Sequence, residues 1–201
     1  MKLRYSATSP FARKVMIVAH EHGLADRIEI LPVERVTTQP FGLQTPENPL
    51  MKIPALTADD GQVLYDSPVI CEYLDTLGSG RKLFPPAGAA RWTALRQQAL
   101  GDGITDAVIL CAYETRRPEE RRWSGWTDSQ MQRVHQGLAA AEHEHLSGLT
   151  TIGPIAIACA LGYLDIRFPD DGWRRRHPKL AEWYDAVLQL PSMQATKPPA
   201  A

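Results

Sequence analysis

The stretch Ile53-Pro54-Ala55-Leu56-Thr57-Ala58-Asp59-Asp60-Gly61-Gln62-Val63-Leu64-Tyr65-Asp66-Ser67-Pro68 holds two short apolar runs, a turn and a helix start. Asp60-Gly61 between the runs is a hairpin signal. Ser67-Pro68 then opens an apolar-periodic segment that breaks at Gly78-Ser79-Gly80, as an N-cap followed by proline in the first turn would. The Ile53-Pro54 step at the start of the first run leaves the isoleucine backbone open to an extended peptide ligand. The same serine-proline device stands earlier, in Ser9-Pro10-Phe11. Two helix N-termini are thereby available for negative charge. A thiolate, a peptide backbone and a free carboxylate are the groups that this trio serves.

Upstream of the stretch, Met1 to Tyr5 reads as a strand. Phe11, Val15, Met16, Val18 and Ala19 recur at helical spacing and stop at Gly23, and Ile28 to Val33 reads as a second strand parallel to the first. Glu34 to Pro49 is polar and carries Pro40, Gly42, Pro46 and Pro49, which predicts a short irregular helix and loop beside the strand ends. The order is β-α-β-α-β-β-α, that of a thioredoxin-like domain over 1–78. A linker over 79–88 contains Pro85-Pro86. From 89 to 201 the pattern is helical, over Ala89–Thr115, Asp128–Leu146, Thr151–Arg167 and Pro178–Leu190, with a frayed tail from Lys197. The expected fold class is an α/β thioredoxin-like domain followed by an all-α domain.

Composition excludes several functions. At 201 residues, 44% apolar, 22% charged and with a formal net charge of −1, the chain has no electrostatic bias toward nucleic acid. No stretch approaches the roughly 18 apolar residues of a membrane span, and the N-terminus lacks the apolar run of a signal peptide, so the expectation is a cytoplasmic protein without membrane or nucleic-acid partners. Cys71, Cys111 and Cys159 lie in apolar helical patterns and form no Cys-x-x-Cys pair, so dithiol exchange lacks its resolving thiol.

Ser9-Pro10-Phe11 with Arg13-Lys14-Val15, Asn48 to Leu56, Asp66-Ser67 and the helix Ile155 to Arg167 resemble the glutathione S-transferase superfamily over nearly the whole chain, above all its bacterial serine-type members. Two positions depart from the family's pattern: Met51 stands where glycine is common, and Pro154 where an acidic residue completes a capping box after Thr151. The resemblance implies a transferase that conjugates glutathione, as substrate and without metal, to a small hydrophobic electrophile. It further implies a homodimer. An alternative within the same fold is a non-catalytic glutathione-binding or interaction protein.

Because a thiol of pKa about 8.5 to 9 is only a few per cent ionised near neutrality, catalysis there means stabilising thiolate. The resemblance gives that task to the hydroxyl of Ser9, with Phe11 beside it; Ser6 and Thr8 compete for the role by spacing. Asp66 would pair the γ-glutamyl ammonium and Ser67 its carboxylate. Ile53 would pair its backbone with the cysteinyl residue beside a cis Pro54, and Lys52 or Arg35 would meet the glycyl carboxylate. Each residue also has a plain reading: caps for Ser9, Asp66 and Ser67, a strand start for Ile53-Pro54, solvated cations for Lys52 and Arg35. Asp102 resembles an acidic position that reaches a neighbouring subunit's ligand in some members; its plain reading is a solvated acid on a helix. Trp123, Trp126, Tyr113 and Tyr163 are candidates for an electrophile wall or for core packing. Glu142-His143-Glu144-His145 has residues two apart, which do not share a helix face, and is not assigned to metal.

Overall fold

The computed structural model describes residues 1–33 and 45–199. The chain forms two compact units, one running from Met1 to Phe84 and including the terminal stretch that begins at Pro191, the other Pro85–Leu190. The composition break at 79–88 contains the division, but the last helix groups with the first unit instead of with the helices that precede it.

In the first unit β1 (Lys2–Tyr5) leads into α1 (Pro10–Glu21), then β2 (Glu29–Pro32), β3 (Ala55–Thr57), β4 (Val63–Leu64) and α2 (Ser67–Leu77). The sheet order is β2-β1-β3-β4. β1 runs parallel to β2, with Leu3 opposite Ile30, and antiparallel to β3, with Leu3 opposite Leu56; β3 returns antiparallel into β4. A parallel pair needs the α1 crossover, whereas Asp60-Gly61 suffices for the hairpin, where Gly61 has φ 85° and Asp60 Oδ1 accepts from Gln62 N at 2.9 Å. This is a thioredoxin-like domain. Of the helix and loop expected over 34–49, residues 34–44, and Arg35 with them, lie outside the described residues; 45–50 form tight turns.

α1 packs along α2 through fully buried Ala12, Val15, Ile17, Val18 and Ala19 on one side and Ile70, Cys71 and Leu74 on the other. Behind that core a buried pair joins the C-terminal ends of the two helices. His22 Nε2 lies 2.9 Å from Asp75 Oδ1, which also accepts the Leu83 N–H at 2.6 Å. Gly78 has an ordinary φ of −76°, yet a Cβ there would stand 2.2 Å from His22 Nδ1. The glycine that ends α2 is thus required by the imidazole against it.

The second unit comprises α3 (Gly88–Glu114), α4 (Ser124–Glu142), α5 (Ile152–Arg167), α6 (Trp173–Arg176) and α7 (Pro178–Val187). Every residue of α5 from Ile152 to Leu164 is buried. Its principal partner is α3, and two glycines set their approach: a Cβ on Gly101 would sit 2.5 Å from the Ala156 backbone carbon, and one on Gly153 2.4 Å from Gln97 Cβ. Among the described residues no single helix is long and apolar enough to cross a membrane.

Several boundaries differ from the periodicity. α4 begins four residues before Asp128 and ends at Glu142, four before Leu146, and the acidic side chains at that end serve other elements. Glu142 accepts from Lys179 N (3.1 Å) and Leu180 N (2.7 Å) at the start of α7, and Glu144 holds Arg96 (2.5 Å) and Gln97 (2.9 Å) on α3. Thr151 is the N-cap residue of α5, but its side chain makes no capping bond. The short α6 and α8 (Pro191–Ala195) carry too few residues for a periodic signal.

Residues 45–52 form the turn that delivers the chain to β3. Asn48 is buried, receives the Leu50 N–H on Oδ1 (2.9 Å) and donates from Nδ2 to the Lys52 carbonyl (2.8 Å). Arg4 on β1 anchors the same turn through a bidentate pair with Glu47, its shortest contact 2.7 Å. Hydrogen bonding from Arg4 holds the Glu47 carboxyl below the usual range, so this contribution to stability is present above that range and is lost as pH falls through it. Met51, inside the turn, has φ 54° and is 47% exposed. A side chain in the left-handed region costs about 1 to 2 kcal/mol, which burial does not repay here.

Two expectations follow for thermal unfolding. Gly101→Ala forces α3 off α5 and should cost about 1 to 3 kcal/mol; an unchanged Tm would show that the helices slide apart freely. Met51→Gly should raise Tm by about 2 to 4 °C, the relief of the left-handed strain exceeding the added chain entropy. A fall in Tm would mean that the Met51 side chain makes stabilising contacts.

Candidate functional site

Two helix starts and one strand entry carry the residues singled out in the sequence. α1 starts one turn after β1. Ser9 N donates to Ser6 O at 2.9 Å, Ser9 Oγ accepts from Ala12 N at 3.2 Å, and Ser9 O accepts from Arg13 N at 2.9 Å. Pro10 has no N–H, so Phe11 N–H is left as the first-turn amide without a partner among the described residues. The Ser9 hydroxyl uses one lone pair as a cap and, among the described residues, donates its proton to nothing. The cap and the open donor coexist on one oxygen. Ser6 and Thr8, the competing hydroxyls, lie 3.3 Å from each other and share a hydrogen bond. The Phe11 ring lies under the buried Lys14 ammonium, 5.4 Å from ring centre to Nζ, so the Phe11 group open to a ligand is its backbone N–H.

The start of α2 lies one residue earlier than Ser67-Pro68 suggests. Asp66 is the N-cap residue, with extended backbone, and its carbonyl accepts from Ile70 N at 3.0 Å; Ser67 occupies the first helical position and is buried. The shift follows from that bond, which needs Ser67 already in helical geometry. Asp66's side chain makes no capping bond and has no partner among the described residues. With Pro68 lacking an N–H, the amides of Ser67 and Val69 are open at this end. The helix therefore presents two N–H donors with an exposed carboxylate at its cap.

Between them the Ile53–Pro54 peptide bond is cis, and so is Tyr65–Asp66. Ladder pairing of β3 with β1 begins at Ala55, opposite Arg4, which leaves the Ile53 N–H and C=O without partners among the described residues. Lys52 is exposed, its carbonyl tied to Asn48 and its ammonium in no ion pair among the described residues. The arrangement provides a hydroxyl and an amide at α1, an open peptide edge at Ile53, and an anion site with a neighbouring carboxylate at α2. A thiol-bearing peptide with a free amino-acid end has groups for each.

The remaining candidates separate. Among the described residues no cluster of three or more His, Cys, Asp or Glu is placed to hold a metal ion. His143, Glu144 and His145 lie beyond the end of α4, so the helical-spacing argument does not apply to them, and Glu142 and Glu144 are engaged as described above. Cys71, Cys111 and Cys159 are buried and none is in a disulfide; burial pushes the Cys111 thiol up to about 11. Tyr163 is buried, but Trp123 and Trp126 are 67% and 37% exposed and belong to no core. In the run Arg174-Arg175-Arg176, Arg174 pairs with Asp165 at 2.5 Å and Arg176 with Asp171 at 2.7 Å. Phe11 was expected beside Ser9, and Asn48 stands in the Asn48 to Leu56 segment, but the Phe11 amide and the Asn48 side chain were given no role of their own; proline directly after the cap, which removes one N–H and leaves the next, is the signal for the first.

Comparison with known proteins shows which family shares this sequence and fold. The sequence model of the glutathione S-transferase N-terminal domain matches residues 8–77, and that of the C-terminal domain residues 124–186. The GST-like protein YibF of Escherichia coli (strain K12) is 30% identical over 209 residues, which cover all of both chains. A glutathione transferase family member from Pseudomonas fluorescens Pf-5, solved with bound S-(propanoic acid)-glutathione, superposes over all of both chains with a TM-score of 0.90 at 44% identity. A glutathione S-transferase from Methylobacillus flagellatus KT with glutathione bound gives 0.86 at 37% identity, over 98% of this chain and 99% of that one. The chain belongs to the glutathione S-transferase superfamily.

Proposed function

We propose that this protein is a glutathione transferase that joins the glutathione sulfur to a small apolar electrophile. The observation that carries the reading is the state of Ser9: its oxygen caps α1 while its proton remains to be donated, beside the open Phe11 amide. The glutathione and glutathione conjugate held by the Methylobacillus and Pseudomonas relatives support the choice of ligand.

In this reading the cysteinyl sulfur lies at the start of α1 as thiolate, receiving the Ser9 O–H and facing the Phe11 N–H. A hydrogen bond added to a helix terminus lowers a thiol pKa by roughly one to two units, each worth about 1.4 kcal/mol. Ser9 is a hydrogen-bond donor here and forms no covalent bond. The cysteinyl backbone pairs with Ile53 as an added strand, beside cis Pro54. The γ-glutamyl carboxylate meets the Ser67 amide and hydroxyl, and the ammonium meets Asp66. Lys52 is the described cation nearest in sequence for the glycyl carboxylate. The thiolate then attacks the electrophilic carbon, a carbon–sulfur bond forms, and the displaced group leaves with the electron pair.

Ser9→Ala separates this reading from a binding protein without turnover. Assayed by conjugation to an activated aryl halide, with glutathione affinity measured by calorimetry, the variant should lose about 10- to 100-fold in kcat, as one to two units of thiol pKa imply at neutral pH, with Kd changed less than about threefold. Glutathione binding without any conjugation by the unaltered protein would point to a carrier.

A further inference from the structure

We propose that Asn48 is a positioning residue: its buried side chain fixes the plane of the Lys52–Ile53 peptide and so aims the Ile53 N–H at the carbonyl of the bound cysteinyl residue. This rests on the reading of the Ile53 edge given above.

Asn48 is 2% exposed, and its polar groups are used inside the 45–52 turn. Its N–H donates to Thr45 O at 3.0 Å, and its carbonyl accepts from Met51 N at 2.9 Å. The side-chain amide reaches further along the chain, with Oδ1 accepting from Leu50 N at 2.9 Å and Nδ2 donating to Lys52 O at 2.8 Å. A carboxylate in its place could accept the first of these protons but has none to donate to the Lys52 oxygen.

Lys52 C=O and Ile53 N–H belong to one peptide unit, planar and trans, in which the two groups point in opposite directions. Holding the oxygen toward the buried Asn48 side chain therefore turns the Ile53 N–H away from it. That N–H has no partner among the described residues. Pairing of β3 with β1 starts only at Ala55, opposite Arg4, so no ladder bond sets the rotation of the 52–53 peptide, and the Asn48 bond does. Turned over, the same peptide would present a carbonyl to the ligand's carbonyl, and neither would be satisfied. The frame is shared as well. Arg4, in register with Ala55, holds Glu47 at 2.7 Å, so the residue before Asn48 is anchored to the strand beside which the edge begins. Asn48 itself is buried and acts through Ile53, without touching the ligand.

The test compares γ-glutamylcysteine amide with γ-glutamylcysteamine, two thiols that differ only by the cysteinyl carboxamide. Affinities are measured by calorimetry for the unaltered protein, Asn48→Asp and Asn48→Ala, with thermal unfolding to establish that each variant is folded. The unaltered protein should bind the amide about 3- to 10-fold more tightly, as one hydrogen bond implies, and both variants should bring that preference below about twofold. In the conjugation assay KM for glutathione should rise by a similar factor in the variants, with kcat at saturation falling less than about twofold. A loss of packing alone would weaken both thiols alike and leave the preference in place. A preference that the unaltered protein shows and the variants keep overturns the role of Asn48 alone. Equal binding of the two thiols by the unaltered protein overturns both this inference and the reading of the Ile53 edge. If neither variant folds, nuclear magnetic resonance of the unaltered protein decides: one Asn48 side-chain amide proton should exchange slowly with and without glutathione, and its release on binding overturns the proposal.

Discussion

The Ala12 amide proton received by the Ser9 hydroxyl at 3.2 Å fixes where α1 begins, and most of the site depends on that beginning. With one lone pair committed to the cap, the hydroxyl still has its proton to offer a ligand. Proline at the next position removes one amide and fixes the backbone in helical φ, so the remaining open donor, Phe11 N–H, is held in a known direction. α2 repeats the device with a different division of labour. There the cap residue keeps its carboxylate outward, and the amides on either side of Pro68 stay open. Two helix ends of the same polarity thus acquire different chemistry, one a donor pair for a thiolate, the other an anion site with an acid beside it.

These starts are held by packing behind them. α1 cannot shift along its axis without breaking the Arg13 and Glu21 bonds to α8, and its C-terminal end is fixed to α2 by the buried His22–Asp75 pair. The Ile53 entry is held from a third direction, by Asn48 inside the 45–52 turn and by Arg4 reaching from β1 to Glu47. Met51 in that turn adopts a conformation suited to glycine, and the bonds made by Asn48 on either side of it keep it there.

Much of this was legible in the sequence because its signals are local. Alternation in Met1 to Tyr5, helical spacing up to Gly23, the Asp60-Gly61 hairpin and the serine-proline steps each act within a few residues, and together they specify a βαβ unit, a hairpin and a helix. What was not legible is tertiary. α8 has five residues and no periodic pattern; it exists because Arg13 and Glu21, some 170 to 180 positions earlier, bind it. Arg13 reads as one of many surface arginines until its burial is known. The cap of α2 falls on Asp66 because the 3.0 Å bond to Ile70 N decides it, and Ser67 is equally good by composition. Methionine carries no local signal of a left-handed position; only the glycine common at position 51 in the family marks it. Trp123 and Trp126 look like core residues by type and lie outside the core.

The central claim is that these separate starts and the Ile53 edge act together on one molecule of glutathione. A crystal structure of the complex tests it most directly. The account predicts the cysteinyl sulfur within about 3.5 Å of Ser9 Oγ, the cysteinyl backbone paired with Ile53, and the γ-glutamyl carboxylate on the Ser67 amide with its ammonium toward Asp66. Glutathione with its sulfur on Ser6 or Thr8, or bound away from the start of α2, would contradict it.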